Sequence, residues 1–134
     1  MPPEHYPPDD PREWLNRARS NLIQARGVRT GVYLEDLCFQ AQQAVEKAFK
    51  ALLLHRGVRF PYIHDLAELI NLLEQGGEEP PAQIREAARL NEYAVAARYP
   101  GLAEPVGPEE YQKALALAED AVNWVKSIVQ DKDS

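Results

Sequence analysis

Apolar side chains recur every three to four residues along most of this chain, and proline and glycine mark where each such run stops. That period belongs to a helix with one face in a core. Proline is excluded from helix interiors but welcome in the first turn, so the punctuation divides the chain into five helical blocks. The first runs from about Pro11 to Arg26 behind Asp10, a good N-cap. The second runs from about Tyr33 to Arg56 and stops at Gly57, a good C-terminal glycine. The third covers Asp65 to Gln75 and ends at Gly76 and Gly77. The fourth runs from Pro81 to about Arg98, because Pro100 disfavours helical geometry at Tyr99. The fifth runs from Pro108 to about Gln130.

The long blocks each carry an apolar stripe. The first uses Trp14, Leu15, Ala18, Leu22 and Ala25; the second uses residues from Leu34 and Leu37 through Phe49 and Leu52. The fifth uses Tyr111, Ala114, Leu115, Ala118, Ala121, Val122, Val125 and Ile128, and Leu117 and Trp124 widen its stripe. No run reads as a strand. Short connections make sequential helices antiparallel. The expected fold is therefore all-α: an antiparallel up-and-down four-helix bundle with one additional short helix, over residues 11–130. A flexible Pro-rich tail, 1–10, and a loose C-terminus, 131–134, complete the chain. The wide stripe on the last helix exceeds what one side of a small bundle needs, so a homodimer is expected.

Block four is the least ordinary. At 100° per residue, Ile84, Ala87, Ala88, Leu90, Ala94, Val95 and Ala97 fall on one face, and Asn91 and Arg98 project from the middle of it. Arg85, Arg89 and Glu92 point the other way. An inward arginine must find partners, because an unpaired buried charge is very costly. On the second helix, Gln43, Glu46, Lys47 and Lys50 share one strip, with Glu46 and Lys50 spaced as an i,i+4 ion pair. Two readings of that strip stay open: an ordinary solubilising face, or a groove beside Arg98 in which Glu46 holds the guanidinium and the lysines meet a phosphate. His64 and Asp65 open the third helix, either as a capping pair or with His64 touching a ligand.

Composition narrows the classes. A chain of 134 residues is one domain by size, and 45% hydrophobic residues suffice for a core. The net charge of −6 argues against a DNA-coating or polybasic membrane protein, while leaving room for a local basic pocket. No apolar run approaches the roughly 20 residues of a membrane span, and the Pro- and Asp-rich start is unlike a signal peptide; a cytoplasmic protein is expected. Cys38 is the single cysteine and sits in an apolar pattern, so it packs as a small hydrophobe. Three scattered histidines, His5, His55 and His64, do not make a zinc site. There is no Gly-rich phosphate loop, and Ser20, Ser127 and Ser134 lack a nucleophile's context. No metal or cofactor is expected.

Four motifs taken in order resemble the HEPN domain family. They are the run from Gln42 and Gln43 through Val45-Glu46-Lys47-Ala48-Phe49-Lys50, then His64-Asp65-Leu66, then Leu90-Asn91-Glu92-Tyr93, then Ala97-Arg98-Tyr99-Pro100. The resemblance covers Trp14 to Val129. It implies an all-α, usually dimeric bundle, of the small stand-alone kind often paired with a minimal nucleotidyltransferase as a toxin–antitoxin-like system. It also implies a site drawn from Arg98, Tyr99, Asn91, Glu46, Lys47, Lys50, His64 and Asp65.

In the family's ribonucleases, an arginine near the position of Arg98 is followed after four to six residues by a histidine. This chain has no histidine after Arg98; Ala103, Glu104 and Pro105 stand there instead. Arg59 and His64 meet the spacing, but in the loop between helices two and three, where the family does not place its catalytic pair. The match is read as coincidence. What remains suits binding: Arg98 offers forked hydrogen bonds to a phosphate, and Tyr99 a ring for a base. The leading expectation is a nucleotide- or RNA-binding or regulatory module acting with a nucleotidyltransferase. The alternatives are a metal-independent ribonuclease toxin using Arg98 with a partner such as Tyr99 or His64, and a purely structural dimeric interaction protein.

Overall fold

A computed structural model describes residues 1–60, 62–96 and 105–131. Among these residues every regular element is helical. Helix α1 (Pro11–Ala25) starts where expected: the Asp10 carboxylate accepts the Arg12 backbone N–H, and Pro11 occupies the first turn. Helix α2 (Leu34–His55) ends at Gly57, whose φ of +73° is the left-handed turn that glycine allows. Helix α3 (Leu66–Gln75) is capped by Asp65 and followed by Gly77 at φ +98°. Helix α6 (Pro108–Asp131) closes the bundle.

Block four is not one helix. It divides into α4 (Ala82–Arg85), a 3-10 segment (Glu86–Leu90) and α5 (Asn91–Ala96). The reason is visible in its buried positions, Ile84, Ala87, Leu90 and Tyr93, which recur every three residues. A 3-10 helix has three residues per turn and keeps such a series on one line. A regular α-helix would rotate the same side chains steadily out of the core. The expected face is thereby corrected: Tyr93 points inward and Val95 is 53% exposed. The side chain of Ala97, and Arg98 and Tyr99 with it, lie outside the described residues.

Helix α2 is the spine. It packs against α1 on one side and α6 on another, with α3 and α5 also in contact. Phe49, Leu52, Leu53 and Val45 are fully buried within it. The directions of α1, α2, block four and α6 alternate, but α3 departs from the expected antiparallel order and runs the same way as α2, because the chain folds back before α3 begins. The start of α1 lies near the ends of α2 and α6, around a pocket touched by Pro11, His55 and Val129. The Tyr111 hydroxyl, at the start of α6, donates to the Ala25 carbonyl at the end of α1, at 2.6 Å. Helix α3 is the additional short helix. It runs beside the second half of α2, because the stretch after Gly57 folds back until His64 reaches Glu46, while Glu78 beyond α3 pairs with Arg56.

The first ten residues form no regular helix, but they lie along α1. The Tyr6 backbone N–H donates to Glu13 (2.9 Å), the Trp14 indole to the Pro8 carbonyl (2.7 Å), and Asn16 to the Glu4 carbonyl (3.2 Å). On α6, Leu117, Trp124 and Ile128 are partly buried and pack against the core.

Candidate functional site

The polar strip of α2 does not face solvent. Glu46 and Lys50 are 4% and 5% exposed, at a level of the bundle where α2 is covered on nearly every side. Their helical spacing brings Lys50 Nζ to Glu46 Oε2 at 3.0 Å. The same oxygen meets His64 Nδ1 at 3.0 Å, and the other oxygen accepts from Gln42 Nε2 at 3.3 Å. Gln42, itself fully buried, accepts in turn from Gln43. One carboxylate thus serves an ammonium, an imidazole and an amide. Among the described residues no buried side-chain polar atom is left without a partner, as a buried ionic group requires.

Two aromatic rings complete the enclosure of Lys50. Its ammonium lies 5.5 Å from the Trp14 ring and 5.6 Å from the Phe60 ring, within cation–π range. The rings meet edge to face at 6.0 Å. His64 is different. Its side chain is 64% exposed, with Tyr62 against it edge to face. With Nδ1 on Glu46, its Nε2 has no partner among the described residues. The imidazole is held by a buried anion and presented at the surface.

Asp65 and Asn91 lie beside this centre and are occupied in building it. Asn91 Oδ1 accepts the Leu66 N–H at 2.9 Å, and its Nδ2 donates to Asp65 Oδ1 at 2.9 Å. The same Asp65 oxygen accepts the Ala67 N–H at 2.8 Å. Together the two side chains satisfy free N–H groups at the start of α3 and tie block four to the residue after His64.

Lys47 turns the other way, toward α1. Its Nζ donates to Asn21 Oδ1 at 2.8 Å, and Asn21 Nδ2 donates to Gln40. Burial pushes the Lys47 pKa down; Glu46 opposes this, and the positive charges of Arg17 and Lys50 add to it. The structure therefore joins Glu46, Lys50 and His64 directly, sets Asp65 and Asn91 next to them, and separates Lys47. Arg98 and Tyr99, and with them the expected grip of Glu46 on a guanidinium, lie outside the described residues. Sequence reasoning missed Trp14, Phe60 and Gln42. Gln42 carried a signal, since it stands four residues before Glu46 on the same strip; Trp14 and Phe60 arrive from other elements.

Cys38 is buried and free. Burial, with the nearby carboxylates of Glu110 and Glu35, pushes its thiol up to about 12, which makes it a poor nucleophile. Among the described residues no group of three or more His, Cys, Asp or Glu side chains is placed to hold a metal ion, and no helix is long and apolar enough to cross a membrane.

An all-helical bundle with a paired Glu–Lys on its second helix and a His-Asp pair opening its third defines a recognisable class. The HEPN domain family model matches residues 11–128, and the chain belongs to that family. It is similar to TT1696 from Thermus thermophilus, a crystal structure with 36% sequence identity and a TM-score of 0.74, over 87% of this chain and 96% of that one. It is also similar to the crystal structure of ST0689, an archaeal HEPN homologue, at 28% identity and a TM-score of 0.69, over 90% of this chain and 98% of that one. None of the curated proteins matches it. Membership of this family supports a nucleotide- or RNA-related module.

Proposed function

We propose that this protein is a nucleotide- or RNA-binding regulatory module that works as a homodimer with a partner nucleotidyltransferase, in a toxin–antitoxin-like pair. The observation that carries the reading is the outward imidazole of His64, fixed from beneath by the buried Glu46. Its Nε2, without a partner among the described residues, offers a polar contact backed by the buried pair of Glu46 and Lys50. Arg98 and Tyr99 enter through the sequence, as a forked phosphate ligand and a ring for stacking. Half-buried Leu117, Trp124 and Ile128 support the dimer.

The test is a titration of labelled single-stranded RNA followed by anisotropy. Arg98→Ala and His64→Ala each weaken affinity by roughly tenfold or more while helicity stays unchanged; an isotherm identical to wild type for both rejects the reading. Co-purification of a small nucleotidyltransferase encoded next door checks the partner. Sedimentation at tens of micromolar checks the dimer, which a monomer would reject.

The Glu46–His64 contact also favours a second reading, a metal-independent ribonuclease. A carboxylate that holds one ring nitrogen orients the other for proton transfer, and Arg98 would steady the phosphate. This reading requires RNA cleavage in the presence of chelator that disappears in Arg98→Ala. Intact RNA after incubation with micromolar wild-type protein removes it.

A further inference from the structure

We infer that a second site, distinct from the Glu46 centre, binds a mononucleotide between the N-terminal stretch and the α1–α2 groove, with the phosphate at Arg17 and Lys47 and the base against Trp14, Tyr6 and Pro8. The inference rests on the nucleotide-binding reading above and adds to it a second location, with a ligand size.

The cavity exists because the N-terminal stretch is bonded across α1 rather than away from it. Tyr6 is held through its backbone N–H on Glu13, and Pro8 through its carbonyl on the Trp14 indole. The cavity is a cleft open to solvent on one side, of about 440 Å³, within the roughly 300–1,000 Å³ usual for small-ligand sites. Its wall has two chemistries. Tyr6, Pro8 and Trp14 supply an aromatic and apolar side, while Arg17, Lys47 and His5 supply basic groups.

Charge is unbalanced there, although the whole chain carries a net −6. Among the described residues Glu13 is the one carboxylate lining the cavity, and it already accepts both the Tyr6 N–H and Arg17 Nε. These bonds hold its pKa below the usual carboxylate range, the backbone N–H contributing most. The terminal nitrogens of Arg17 have no other partner among the described residues. Among the described residues Lys47 is hydrogen-bonded only to the neutral Asn21, while Glu46 is engaged by Lys50 and His64. A half-buried ammonium beside a second cation, with no carboxylate in contact, is stabilised by a bound anion. A phosphate reached by a guanidinium fork and an ammonium is the matching group, and the adjoining rings suit a planar base.

Trp14 lines the cavity and reports on it. The chain has two tryptophans, so the part of the signal that Trp14→Phe abolishes is the part that comes from the cavity. The wild-type protein is titrated with AMP, adenosine, inorganic phosphate and a 5′-phosphorylated tetraribonucleotide. AMP shifts Trp14 emission saturably, and adenosine and phosphate alone each bind roughly tenfold or more weakly. Lys47→Met and, independently, the exposed Arg17→Gln each weaken AMP by a similar factor with helicity unchanged. A tetranucleotide that binds more tightly than AMP identifies the ligand as an RNA end; equal affinity identifies a free mononucleotide. No saturable change with AMP up to millimolar concentration overturns the inference, as does wild-type affinity in both variants. The two functional claims separate cleanly. RNA affinity lost in His64→Ala, beside AMP titrations that ignore Arg17 and Lys47, removes this site and leaves the proposed function. AMP binding that depends on Arg17 and Lys47, beside RNA binding indifferent to His64 and Arg98, does the reverse.

Discussion

Glu46 and Lys47 are adjacent in the chain and meet opposite surroundings. Glu46 points into the bundle, where Lys50, His64 and Gln42 all bond to it. Lys47 points toward α1, where among the described residues its one hydrogen bond is to the neutral Asn21 and its charged neighbours are Glu46, Arg17 and Lys50. One centre is closed and compensated; the other is open to a cavity and short of negative charge. Residues on one helical strip, about 100° apart, can therefore belong to different sites once neighbouring helices are in place. The contrast separates a charge that the fold requires from a charge that the fold tolerates.

That difference is sharpest in stability. Glu46→Ala strands the buried Lys50 ammonium and is expected to cost about 3–5 kcal/mol, measured by chemical denaturation. The double variant Glu46→Leu with Lys50→Met removes both charges and recovers most of that loss, because a matched apolar pair avoids the desolvation of two ions. A single and a double variant of equal stability would break the claim that the centre is a compensated pair. Asn91→Ala withdraws the acceptor for the Leu66 N–H and the bond to Asp65, and is expected to cost about 1–2 kcal/mol. Lys47→Met is expected to move stability by less than about 1 kcal/mol at neutral pH, since the lost bond to Asn21 is offset by relief of a disfavoured charge. A loss as large as that of Glu46→Ala would erase the comparison.

The smallest effect is a pH dependence. The native Lys47 pKa lies below its ordinary value of 10.5, so between the two values the unfolded chain holds more protons at this group than the native one. Stability of the wild type, relative to Lys47→Met, therefore rises with pH across that window. The gain is complete above 10.5 and is lost as pH falls through the lowered native value. Paired denaturation curves at pH values stepping down from 10.5 measure it, and parallel curves would show that Lys47 is not desolvated.

Much of the architecture was legible in the residues themselves. Asp10, Asp65, Gly57 and Gly77 mark the helix ends because capping and left-handed turns are local chemistry. The stripe from Leu37 to Leu52 found the core because burial follows the period of the helix. Block four misled because Ala94 and Val95 fit a regular helix as well as Ala87 and Leu90 do; only packing against α2 and α6 selects the three-residue spacing that buries Tyr93. The ion pair of Glu46 with Lys50 was visible as spacing, yet its burial was not. A helical strip of charged residues reads as solvated until Trp14, Phe60 and His64 are known to cover it.

The sequence by itself determined the class of fold, the positions of its caps and the pairing of Glu46 with Lys50, because each depends on residues within a few places of one another. The tertiary structure decided which of the strip's charges are enclosed. It carried His64 back to Glu46, put Asn91 on the start of α3 and laid the N-terminal stretch beside Arg17 and Lys47. Those outcomes depend on helices meeting across long intervals of chain, and the solvation of a charge is set by what packs over it.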